Sequence, residues 1–233
     1  MLKPKLPKTE QGFTLLEVLV SILVATTFVA MSLQAMVLAA YFQVRAKEAS
    51  EATLLIQQDL ENLKYLASTY QHSLLSANTA QNATTITLAD TTDFTTSNTL
   101  TIQGDETKYT ISNKSGNTLT ISPALTQPHS SNKAVVNTTR CSNPTQTTGF
   151  ADGLRDKVLG SDSSATSSTT NSTKTLSATN KNYKLQRIVT PSSSTPFNVL
   201  QLSYQVIDEE TNPTRTVAEI YTEVIPDAAL QCP

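Results

Sequence analysis

The spacing of apolar positions along this chain changes twice. Residues 18–44 are 27 positions without one Asp, Glu, Lys, Arg, Pro or Gly, so any helix they form has no charged face. At about 1.5 Å rise per residue it reaches roughly 40 Å, more than the roughly 30 Å hydrocarbon core of a bilayer. Residues 13–44 are therefore expected to span a membrane. From residue 45 to residue 71 Gly and Pro are still absent, but Ala49, Ile56, Leu60, Leu63, Ala67 and Tyr70 recur at three- and four-residue spacing. That spacing draws one apolar stripe, and Lys47, Glu48, Glu51, Gln58, Asp59, Glu61 and Lys64 fall opposite it. The expectation is one helix from about Thr14 to about Tyr70, with an amphipathic half at 45–72.

Past residue 82 the period shortens to two. Thr84-Thr85-Ile86-Thr87-Leu88, Thr99-Leu100-Thr101-Ile102, Lys108-Tyr109-Thr110-Ile111 and Thr118-Leu119-Thr120-Ile121 alternate polar with apolar. Asp90, Asp93, Gly104-Asp105 and Ser115-Gly116-Asn117 separate them as turns, so residues 83–136 read as a small inserted all-β module; the alternative is that these strands are themselves the main sheet covering the helix. The module resembles a compact β unit found in phage and bacterial surface proteins. Residues 137–182 are expected to be irregular, because 16 of the 22 residues at 161–182 are Ser, Thr or Asn and offer little apolar surface against ordering entropy. Residues 183–190, 199–207 and 216–225 return to strand patterning, with Leu200, Leu202, Tyr204 and Val206 on one face. They predict a three-stranded antiparallel sheet within 183–233, which would cover the apolar stripe of the helix and complete an α+β fold.

Charge adds orientation. Lys3, Lys5 and Lys8 precede the apolar run, and Arg45 and Lys47 follow it. The excess in front favours a cytoplasmic N-terminus and export of the remainder. Only 15% of the residues are charged and the net charge is −2. No basic cluster follows the helix, so no nucleic-acid binding is expected.

A secretory signal carries its cut site after a short apolar stretch; here the best processing point, Gly12-Phe13, lies before a long one. Gly12-Phe13-Thr14-Leu15-Leu16-Glu17 resembles the processing site of type IV pilins and type II secretion pseudopilins. The resemblance implies that a prepilin peptidase cleaves after Gly12, removing leader residues 1–12, and that Phe13 is N-methylated. It also implies that Glu17 guides assembly by meeting the terminal amine of a neighbouring subunit. A carboxylate inside an apolar helix costs several kcal/mol, which a partner offsets. A stray glutamate near the end of a plain single-pass anchor would cost less, by snorkelling to the interface. Loss of the leader moves the net charge from −2 to −4. Many type IV pilins carry a proline mid-helix; residues 13–122 contain none, so no kink is expected. Ser21, Thr26, Thr27, Ser32 and Gln34, with Ala35 and Ala39, are either a packing face for sibling helices or ordinary membrane-helix composition.

Cys141 and Cys232 both follow the apolar run, in an oxidising compartment under this topology. A bridge between them would tie down the C-terminus, as the pilin resemblance implies; two free or intermolecularly paired thiols are the alternative. Asp90 with Asp93, and Asp105 with Glu106, could offer oxygen ligands to calcium, but turn chemistry accounts for them better, and for Asp208-Glu209-Glu210 as well. His72, expected at the helix end, and His129, in a Pro-His-Ser turn, lack metal-ligand spacing. No phosphate-binding glycine loop or nucleophile elbow occurs. No metal, cofactor or enzymatic activity is expected. The reading is a structural subunit, a minor pilin or pseudopilin, of a type IV pilus or type II secretion filament. Its long inserted region would crowd a major-subunit shaft. The alternative is a membrane-anchored surface binding or cell-adhesion protein that does not polymerise.

Overall fold

The computed structural model describes residues 14–142, 144–160, 167–211 and 213–232. The first element is a helix, α1 (Leu15–Thr69), and the chain divides within it into two compact units, Met1–Glu48 and Ala49–Pro233. In the first unit the described residues are helix with almost every side chain exposed. In the second, the remaining turns of α1 lead into two antiparallel sheets, which gives the α+β class expected.

The helix ends because Gln71 adopts φ 57, a left-handed conformation that cannot extend it. Its backbone N–H, left without a helical acceptor, donates to Asp93 Oδ2 at 3.1 Å. A strand, β1 (His72–Leu74), follows at once, so His72 begins a strand rather than closing the helix. Strands β2 (Thr85–Thr87), β3 (Thr99–Ile102), β4 (Tyr109–Ser115), β5 (Thr118–Ser122) and β6 (Ala134–Asn137) complete a six-stranded sheet in the order β1-β6-β3-β4-β5-β2. The sheet thus begins at residue 72, ahead of the alternating pattern that starts near 83, because β1 pairs with β6 through His72↔Val136 and Leu74↔Ala134. The apolar positions of the alternation, Ile86, Leu100, Ile102, Ile111, Leu119 and Ile121, are buried in one core with Phe94 and Leu125. Gly116, at φ 57, supplies the left-handed residue that lets β4 turn directly into β5.

Acidic turn residues are occupied locally. Asp90 Oδ1 accepts from Thr92 N at 2.9 Å, Asp105 Oδ1 from Thr107 N at 2.9 Å, and Asp208 Oδ1 from Glu210 N at 3.1 Å. These are Asx turns, the chemistry preferred over calcium.

Residues 137–182 are not irregular throughout. A second helix, α2 (Phe150–Leu159), buries Phe150, Ala151 and Leu154. Strand β7 (Ser168–Leu176) pairs along its whole length with β8 (Lys181–Pro191). Hydroxyl-rich composition predicted disorder because it counted only side-chain burial. The neighbouring backbone offers β7 a full ladder of hydrogen bonds, threonine suits extended backbone, and Leu176, only 2% exposed, anchors the end of the strand. With β9 (Leu200–Asp208) and β10 (Arg215–Val224) the second sheet runs β10-β9-β8-β7, four strands rather than three.

One face of that sheet meets residues 49–69 of α1. Ile56, Leu63 and Ala67 share a core with Leu185, Val189, Leu200, Leu202 and Tyr204. Ala52 is fully buried although the stripe did not include it, and Ala49 and Leu60 are half-buried. Two acidic residues assigned to the polar face reach the sheet instead. Glu51 accepts from Ser177 Oγ and Ala178 N, at 2.8 and 2.9 Å. Asp59 Oδ2 accepts from Arg187 Nη1 and Tyr204 Oη, both at 2.8 Å. Burial and the Asp59 carboxylate together push the Tyr204 hydroxyl above its usual range.

Candidate assembly surface and polar centres

Thr14 stands just ahead of α1. Glu17 N donates to Thr14 O at 3.0 Å and makes a long contact to Thr14 Oγ1 at 3.4 Å, so the threonine side chain caps one of the donors that a helix start leaves unpaired. Thr14-Leu15-Leu16-Glu17 has the Ser/Thr-x-x-Glu sequence of a capping box ahead of an apolar run, a signal legible in the sequence and missed there, of which the structure forms the threonine half. Glu17, three residues inside the helix, is exposed. Among the described residues its carboxylate has no hydrogen-bond or ion-pair partner, which leaves it available to a group outside the chain.

Beyond Glu17 the surface is apolar. Leu15 is 84% exposed, Phe28 72% and Met36 69%, so this is not the core helix of a soluble domain. Eighteen large apolar side chains between residues 15 and 44 are exposed. At about 1.5 to 3 kcal/mol for each one fully buried, their cover by lipid or sibling helices is worth tens of kcal/mol. One helix this long and apolar fits a single-pass membrane anchor.

The hydroxyls in this stretch are satisfied by the helix itself. Ser21 Oγ donates to Glu17 O at 2.7 Å, Thr27 Oγ1 to Leu23 O at 2.9 Å and Ser32 Oγ to Phe28 O at 2.9 Å. Such back-bonding removes most of the cost of a hydroxyl in hydrocarbon. At the far end, Arg45 Cζ sits 5.0 Å from the Tyr41 ring centroid, and Tyr41 meets Phe42 edge to face. Aromatic rings beside a cation are typical of a membrane–water interface.

Of the sequence-predicted site residues, Gly12 and Phe13 lie outside the described residues, as does the leader. Cys141 and Cys232 are brought together in a disulfide across 91 residues of sequence. Cys141 closes a short turn after β6, and Cys232 follows the turn Asp227–Gln231, whose Ala228 and Ala229 are buried.

A second polar centre was missed because its members lie far apart in sequence. His129 Nε2 is 3.1 Å from Asp105 Oδ2, with both side chains almost fully buried. Tyr109 Oη donates to the same oxygen at 2.6 Å, and Thr126 Oγ1 at 3.2 Å. Burial alone would raise the Asp105 pKa; the donors from Tyr109, Thr107 and Thr126 outweigh it and lower the value from 3.8 to about 2. The pair ties the loop between β3 and β4, which carries Asp105, to the loop between β5 and β6, which carries Thr126 and His129. No three His, Cys, Asp or Glu side chains among the described residues converge to hold a metal ion.

Residues 7–33 match the family model described as the prokaryotic N-terminal methylation motif. The motif supports the type IV pilin-like family and a pilin-type surface filament subunit. No curated protein matches the chain. Among solved structures, the Gp54 tailspike of Acinetobacter baumannii bacteriophage AP22, in complex with A. baumannii capsular saccharide, shares 15% identity at a TM-score of 0.26. The match covers 28% of this chain and 14% of the tailspike, and at that score it carries no argument.

Proposed function

We propose that this chain, bearing the N-terminal methylation motif of type IV pilin-like proteins, is a minor subunit of a type IV pilus or a related secretion filament. Prepilin peptidase cuts it between Gly12 and Phe13 and Phe13 is methylated. The processed subunit waits in the inner membrane with its N-terminus cytoplasmic, and the assembly machinery then draws it among other pilin subunits. It is not an enzyme. The observation that carries the reading is the methylation motif joined to a helix whose apolar side chains are exposed along residues 15–44. A surface of that kind is stable only against lipid or against copies of itself. Glu17 supports the assembly step, since its carboxylate has no partner among the described residues and pairing with a cationic amine would offset the cost of carrying it into an apolar bundle. The six-stranded sheet, inserted in sequence between α1 and the second sheet, favours a minor position, as its bulk would crowd a densely packed shaft.

Mass spectrometry of the native N-terminus tests this directly. The expected species begins at methylated Phe13. A Gly12→Asp variant is expected to stay unprocessed and to vanish from filaments sheared off cells. Recovery of the native chain with residues 1–12 attached, or full surface function of the unprocessed variant, would overturn the reading in favour of a non-polymerising anchor.

A further inference from the structure

A cleft of about 620 Å³ opens between the six-stranded sheet and α2, lined by Gln, Asn, Ser, Thr, Asp and Arg residues without one apolar residue. Its floor is fixed by bonds within the six-stranded module and by others that reach α2 and the turn before it. Asn137 Nδ2 donates to Asn98 Oδ1 and to Asp93 O, both at 2.9 Å. Asp93 Oδ1 pairs with Lys157 Nζ of α2 at 2.8 Å, and Arg140 Nη1 donates to Thr148 O and Gly149 O at 2.9 and 3.0 Å. Capacity remains after these bonds are made. Among the described residues Asn98 Nδ2 and Ser142 Oγ make no hydrogen bond, and Thr147 Oγ1 makes one long contact, 3.3 Å to Thr145 Oγ1.

The charges of the site cancel. Asp93 is paired with Lys157, while Asp152 and Asp156 both reach Arg155 Nη2 at 2.7 Å; Arg140 adds a cation to the lining. A balanced set favours neither a metal ion nor an anion. What the cleft offers is side-chain donors and acceptors alongside a similar extent of apolar surface from the same polar residues. These match the alternating hydroxyls and C–H faces of a pyranose ring.

We propose that this cleft binds a neutral sugar residue. No aromatic ring lines it, so no stacking platform adds to the hydrogen bonds and a single site binds at about millimolar Kd. Repetition along a filament would raise the effective strength by roughly 10²- to 10⁴-fold. That gain rests on the filament reading, whereas binding to the single chain does not.

The test is saturation-transfer NMR on the full processed chain in detergent micelles, with glucose, galactose and N-acetylglucosamine each at about 10 mM, a concentration that populates a millimolar site. Transfer to at least one sugar is expected. The double variant Ser142→Ala/Thr147→Val should weaken binding roughly fivefold or more by removing two unused hydroxyls, and Thr147→Trp should abolish it by filling the cleft. Both substituted positions, Ser142 and Thr147, are exposed, and unchanged thermal unfolding verifies that the variants fold. No transfer from any of the three sugars would overturn the proposal. So would undiminished transfer in both folded variants, or a response to calcium chloride where the sugars give none.

Discussion

Replacing Asp105 by Asn tests whether the buried carboxylate clamp stabilises the six-stranded sheet. In the folded chain the Asp105 pKa is about 2, against 3.8 for an unperturbed carboxyl. A depressed folded pKa means that the unfolded chain binds the proton more readily. The stabilisation is therefore fully present above the unfolded value and is lost as pH falls through the folded one. At about 1.4 kcal/mol per pH unit, the difference amounts to about 2 kcal/mol, absent below about pH 2 and complete by about pH 5. Asparagine keeps an oxygen for Thr107 N, but its amide donors oppose Tyr109 Oη, which donates at 2.6 Å in the native chain. Urea unfolding of the detergent-solubilised chain, followed by the fluorescence of tyrosine at several pH values, measures the effect. Wild type should lose about 2 kcal/mol between pH 5 and pH 2 relative to the Asp105→Asn variant, so the two stabilities converge in acid. A constant gap across that range would refute the reasoning, because it would place the effect of the mutation in packing instead of ionisation.

Ile56→Ala removes a fully buried side chain from the joint between α1 and the four-stranded sheet and should cost about 2 to 5 kcal/mol, read as a lower urea midpoint. Cys141→Ser/Cys232→Ser releases a link across 91 residues. The chain-entropy relation gives a loss of about 4 to 5 kcal/mol, and calorimetry that finds less than about 1 kcal/mol would contradict the idea that the bridge restrains the unfolded chain. Glu17→Gln should leave thermal unfolding of residues 49–233 unchanged, because the carboxylate has no partner among the described residues, while lowering the amount of subunit in sheared filaments. Normal incorporation of that variant would remove Glu17 from the assembly step.

Much of the α+β architecture was legible in the order of residues. An uncharged run of 27 residues and a three-and-four stripe after it identify a helix because helical geometry brings such positions to one side. The alternation at Ile86, Leu100, Ile111 and Leu119 identifies strands for the same geometric reason, and those positions are buried. Glycine, aromatic and glutamate at fixed offsets before the apolar run made the N-terminal methylation motif readable, because the motif lies wholly within one short stretch of sequence. The threonine cap at Thr14 was also local and could have been read.

Tertiary structure decided what depends on a distant partner. Serine and threonine in β7 say little about order by themselves; the backbone of β8 supplies the hydrogen bonds that hold the strand. Asp59 reads as a solvated helix residue until Arg187 and Tyr204 arrive from 128 and 145 positions away. His129 reads as a turn residue until folding sets it against Asp105, and the polar cleft exists only where β-sheet and α2 come together. Periodicity reports which side of an element is apolar, because that follows from bond geometry within a few residues. Which polar groups meet is settled by long-range packing, and local sequence carries no record of it.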